Sequence, residues 1–200
     1  PGDAIGMSSG RAIMHLCRDC QHTCHGMPVL TAILRLFLLL LLPALGQAAS
    51  LPLQASAAPL LPGPVMYVWA DPEGQADIHH VRQLPESAWQ PVARRDASFG
   101  YSKQAYWLRF SLNNPADAPI NWILLIGNPL LDSLEAYGLD NERVYQAGDQ
   151  HPFDQRWVEH RQLVLPVNLA AGEARELILR MQTDGSANLS ASLMSAEAFN

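Results

Sequence analysis

From Val65 onward the 200-residue sequence never sustains a 3.6-residue apolar repeat. Short apolar runs are broken every few residues by Gly, Pro, Asn or Asp, and several alternate apolar with polar residues. Such a chain is limited to strands and tight turns. Candidate strands are 65–69, 78–83, 106–113, 121–126, 133–139, 143–147, 161–167, 176–182 and 189–195, with a single helical turn at 85–89. About nine short strands of this kind predict an all-β fold, an antiparallel β-sandwich of jelly-roll-like order.

The clearest strand is YWLRFSLN, residues 106–113. Side chains alternate faces along a strand, so Tyr106, Leu108, Phe110 and Leu112 form one apolar face, which is core. Trp107, Arg109, Ser111 and Asn113 point the other way. A Trp beside an Arg on an outer face offers a stacking surface with a hydrogen-bonding fork, suited to a sugar or an anion. The same two residues also fit a structural role, with Trp107 under a loop or second layer and Arg109 paired to a carboxylate. Asn121–Ile126 is apolar on both faces, as in a central strand, which makes Trp122 a core residue. In 175–181, Leu177, Leu179 and Met181 face inward; Arg180 lies opposite, as a second ligand-facing cation or an ordinary solvated charge.

The stretch MPVLTAILRLFLLLLLPALGQAAS, residues 27–50, reads as a secretory signal peptide. Its apolar run Leu36–Leu42 is shorter than the roughly 20 residues a membrane span needs. Pro43 ends the run, and Gly46-Gln47-Ala48 supplies small residues for cleavage after Ala48. Residues 1–26 are then a mistranslated leader. They contain HLCRDCQHTCH, residues 15–25, whose Cys and His spacing invites a zinc ligand set. Upstream of an export signal that cluster has no folded domain to orient ligands, so no metal site is expected.

Residues 49–64 carry Pro52, Pro59, Pro62 and Pro64 and no charge, and read as an extended linker before a domain at 65–200. The totals are 13 basic and 19 acidic residues. Without Arg11, Arg18, Arg35, Asp3 and Asp19, the exported part keeps 10 and 17, a net −7, and no cysteine. This excludes a phosphate-binding basic surface, hence a nucleic-acid partner, and leaves stability to a hydrophobic core. His79 and His80, adjacent on a strand, would point to opposite faces and not share a metal. No Gly-x-Ser-x-Gly elbow proposes a nucleophile and nothing marks a carboxylate pair, so neither catalysis nor a cofactor is expected. Gly148–Arg156 reads as a loop, where Asp149, Asp154 and Arg156 suit hydroxyls or a cation, or equally Asx turns and an internal salt bridge. Asp132, after Asn128-Pro-Leu-Leu, is a loop-edge carboxylate open to either role.

An ordered set of marks then carries a resemblance: YWLRFSLNN, WILLIGNPLLDSLEAY, GDQHPFDQR with HRQLVLPV, LILRMQTDGS and SAEAF. Together they resemble the type 2 extracellular domain of bacterial seven-transmembrane receptors with diverse intracellular signalling modules. The resemblance implies a periplasmic sensory β-sandwich similar to carbohydrate-binding modules, preceding a membrane region and a cytoplasmic output. The chain stops at Asn200, where the first membrane helix would follow, so it is read as a fragment of an inner-membrane receptor. The expected ligand is a carbohydrate or related small molecule, with Trp107 stacking and Arg109, Asp132, Arg156 and Arg180 hydrogen-bonding. The alternatives are a module contacting another receptor or a periplasmic protein, and a secreted carbohydrate-binding module.

Overall fold

The computed structural model describes residues 49–54, 58–92, 94, 96–139 and 143–199. The leader, the signal peptide with its cleavage site, and the Cys–His cluster lie outside the described residues.

Twelve strands follow in chain order: β1 Ser50–Pro52, β2 Tyr67–Asp71, β3 Gln90–Pro91, β4 Ala97–Tyr101, β5 Ala105–Asn113, β6 Ile120–Ile126, β7 Ser133–Tyr137, β8 Tyr145–Ala147, β9 Leu163–Leu169, β10 Ala174–Gln182, β11 Ser186–Leu189 and β12 Ala191–Ser195. Two short helices, α1 Ile78–Arg82 and α2 Ala196–Phe199, accompany them. One sheet has the order β3-β2-β5-β10-β7-β8, with β1 also on β5; the others are β12-β6-β9 and β11-β4. Every pairing is antiparallel except that of β1 with β5.

The alternation along β5 organises the packing. Leu108, Phe110 and Leu112, with Leu177, Leu179 and Met181 of β10 and Leu134 of β7, pack against Trp122, Leu124 and Ile126 of β6, Leu165 and Val167 of β9, and Leu193 of β12. This is a two-layer β-sandwich in which burial of period-two apolar faces supplies the main driving force. Trp122 belongs to this core, as its sequence context indicates.

Several local expectations change. Of residues 78–83, expected as a strand, Ile78–Arg82 form α1 and Gln83 is its C-cap. Asp77 at its N-cap accepts a hydrogen bond from the His80 amide at 2.8 Å, satisfying a donor that the first turn leaves free. Ile78 and Val81, three apart, then share the inward face, whereas a strand would have paired Ile78 with His80. His79 and His80 therefore do not point oppositely as on a strand. Residues 49–64 are more than a linker: β1 adds to the edge of β5, Leu53 is buried, and Leu60 and Leu193 exchange two backbone hydrogen bonds of 2.8 Å. Pro52 sits on an added edge strand, where its missing N–H is tolerated. The strand expected at 189–195 is two, broken at Ser190, and β4 was not anticipated; the shift of its register against β11 coincides with Gly100 at φ +73°, a bulge position open to glycine.

Candidate functional site

The outer face of the six-strand path carries two cross-strand rows. One runs Trp69, Trp107, Arg180, Glu135, Gln146; the next runs Tyr67, Arg109, Ile178, Tyr137. Over the middle of this face folds the connection from β2 to β3, which places Val81 of α1 and Trp89 against Trp107 and Ile178. Trp107 consequently has no exposed surface, and its ring lies 5.9 Å from that of Tyr137. The expected exposed stacking role of Trp107 is corrected on this point: the ring is covered by a second layer and acts as core. The indole N–H groups of Trp107 and Trp89 are buried and have no acceptor among the described residues.

Arg109 lies at the margin of the cover. Its guanidinium sits 4.4 Å from the Trp89 ring centroid and donates two hydrogen bonds to the Glu86 carboxylate, one of them 3.0 Å long. The hydrogen bonds from Arg109 hold the Glu86 carboxyl below its ordinary range. Arg180 is likewise engaged. It pairs with Glu135 at 3.3 Å and donates to the Gly74 carbonyl at 2.9 Å and to Gln182 Oε1 at 2.8 Å. Tyr137 donates to the other Glu135 oxygen, and burial together with that bond pushes its hydroxyl well above the usual tyrosine range.

Asp132 and Arg156 stand apart from this layer. Asp132 accepts from the Asp184 amide at 2.7 Å and borders a small polar cleft of about 190 Å³ with Ser133, Gln182 and Thr183. Gln182 links that cleft to Arg180, so Asp132 neighbours the layer without facing it. The Asp132 carbonyl also lies where a Cβ on Gly148 would fall, 2.4 Å away, which explains glycine at φ +124° there. Arg156 lies beside β8, over the Phe153 ring at 4.6 Å, and donates to the His160 carbonyl at 2.9 Å. The five residues anticipated as one site therefore divide: Trp107, Arg109 and Arg180 are brought together under the cover, and Arg156 is not among them.

What the cover leaves open is a cleft of about 420 Å³ at the end of the first row, lined by Trp69, Asp71, Glu73, Gln75, Asp77 and His80 among others. Its wall is the half-buried Trp69, with the His80 ring 5.9 Å away. Its shape is fixed from below, because the buried Asp71 carboxylate accepts from the Gly74 and Ala76 amides at 3.0 and 2.9 Å while Arg180 holds the Gly74 carbonyl. Gly74, at φ +65°, packs against Gln182, and a Cβ there would lie 2.9 Å from its Nε2. Sequence reasoning missed Trp69, although Tyr67, Trp69 and Asp71 alternate as Trp107 and Arg109 do. A larger cleft of about 600 Å³ is lined by Leu53, Pro119, Trp122 and Glu197 among others, where Trp122 is buried.

A two-layer antiparallel sandwich with an aromatic-walled cleft at the rim of one sheet has the architecture that many small-molecule-binding modules share. The family described as 7TMR-DISM extracellular 2 matches residues 63–195, and the chain belongs to it: this is an extracellular domain of the seven-transmembrane receptors with diverse intracellular signalling modules. No curated protein matches the chain. Among the described residues, no helix is long and apolar enough to cross a membrane, and no three or more His, Cys, Asp or Glu converge as metal ligands.

Proposed function

We propose that the domain is the periplasmic, non-catalytic input of a transmembrane signalling receptor, and that it binds a carbohydrate or related small molecule in the Trp69 cleft. The observation that carries this reading is the partly exposed Trp69 ring lining a cleft whose other walls are Pro72, Ala76 and the polar Asp71, Glu73, Gln75, Asp77 and His80. Aromatic faces stack on the C–H surface of a sugar while carboxylates and amides take up its hydroxyls. Among the other anticipated residues, Arg180 serves as a positioning residue, since it anchors the Gly74 carbonyl of the loop that walls the cleft.

A panel of neutral oligosaccharides screened by thermal shift tests the proposal. Stabilisation by at least one member, lost in Trp69→Ala and kept in Trp157→Ala, is the expected result. Stabilisation that survives Trp69→Ala overturns the assignment.

One observation favours a protein partner as a second reading. Phe153 and Trp157 are 52% and 38% exposed beside Arg156, the aromatic and arginine composition that interface hot spots favour. That reading expects Trp157→Ala to weaken association with a receptor partner and to leave sugar binding unaltered.

A further inference from the structure

We infer that the Trp69 cleft selects ligands carrying an ammonium group, an amino sugar above all, and rejects acidic sugars; the inference rests on the proposed function and names the ligand class of the same site. The cleft brings Asp71, Glu73 and Asp77 to one aromatic wall, with His80 the sole basic residue in its lining. Asp71 is spent internally, both of its oxygens accepting backbone N–H groups. Asp77 has one oxygen on the His80 amide, which leaves the other for a ligand, and Glu73 is exposed at the mouth. Arg180, which holds the Gly74 carbonyl of the cleft loop, is paired with Glu135, so it lends little positive potential.

An ammonium placed between the Trp69 face and these two carboxylates gains a cation–π contact together with two charge-assisted hydrogen bonds. A uronate or phosphate in the same place meets two like charges and finds no guanidinium free to compensate. An uncharged sugar keeps the stacking and its hydroxyl hydrogen bonds but gains neither the cation–π contact nor the ion pairs. The net −7 of the exported part adds long-range attraction for cations.

The test compares tetramers of glucosamine, N-acetylglucosamine and galacturonic acid by calorimetric titration of the purified chain at low salt. The glucosamine tetramer binds about ten-fold tighter than its acetylated counterpart, the combined scale of an exposed cation–π contact and two exposed ion pairs, and the galacturonate tetramer binds weakest. In Glu73→Gln/Asp77→Asn the preference for the amine falls to about two- to five-fold, the scale of the cation–π contact that remains. Asn is as good an N-cap as Asp, so α1 is retained and the loss reports charge. An amine that binds no tighter than the acetylated sugar, or a preference unchanged in the double variant, overturns the inference. If the acetylated tetramer then still binds and Trp69→Leu removes that binding, the proposed site stands; if no tetramer binds, both fall.

Discussion

Trp69 and Trp107 are directly opposite each other on β2 and β5, yet Trp107 is completely buried while Trp69 is only partly buried and lines a cleft. The segment carrying α1 and Trp89 buries Trp107 fully, whereas it packs against Trp69 only in part and leaves that ring lining the cleft.

Trp107→Ala is therefore expected to act on stability, by about 3–5 kcal/mol, the cost of truncating a large buried aromatic side chain. Trp107→Phe loses no hydrogen bond, because the indole N–H has no acceptor, and costs distinctly less. Urea denaturation of both variants measures the difference.

Asp71→Ala leaves the Gly74 and Ala76 amides without their acceptor and is expected to cost about 1–3 kcal/mol. Hydrogen exchange should speed up first at those two amides, with β10 still protected. Uniform acceleration across the sheet would show that Asp71 serves the whole fold and not the cleft loop.

Glu86 and Tyr137 are two of the groups that give the stability a dependence on pH. The Glu86 carboxyl lies below its ordinary 4.5 in the folded state, so its contribution is present above that value and is lost as pH falls through the lowered one. The effect is small, because Glu86 is largely solvent-exposed. Tyr137 is the opposite case. Its hydroxyl is raised above 10, so its contribution is complete below pH 10 and is lost as pH rises further. Melting temperature measured against pH should fall more steeply above pH 10 in the wild type than in Tyr137→Phe, and tyrosinate absorbance should show late-titrating tyrosines, since burial raises Tyr145 as well.

Leu53 is buried at the end of β1, although it lies before the domain boundary that the sequence suggests. Leu53→Ala should cost about 2–4 kcal/mol by the usual cavity effect, measured by chemical denaturation. A chain beginning at Val65 should melt lower than one beginning at Ala49.

The contrast between these residues shows what a sequence discloses. Alternation from Tyr106 to Asn113 reveals the core face of β5 because period two is a local property, and the doubly apolar Asn121–Ile126 reveals Trp122 as core for the same reason. The cover on Trp107 is not local. It depends on a helix of five residues, too short to express a period, whose only written signs are the Asp77 cap and the Ile78/Val81 spacing. The edge pairings of Leu51 and Leu60 depend on partners far along the chain, and a proline-rich stretch conceals them. Among the site residues, the sequence marks which side chains leave the core face but not which of them a neighbouring segment covers.

The five tryptophans, Trp69, Trp89, Trp107, Trp122 and Trp157, sample the Trp69 cleft, the cover, the buried layer, the core beside the second cleft and the exposed loop. Nuclear magnetic resonance titration of their indole N–H signals with glucosamine or N-acetylglucosamine tetramer tests the central claim most directly. The account predicts that the Trp69 signal moves most, with Trp107 and Trp122 nearly still. Largest movement at Trp157 or Trp122, with Trp69 unmoved, would contradict it.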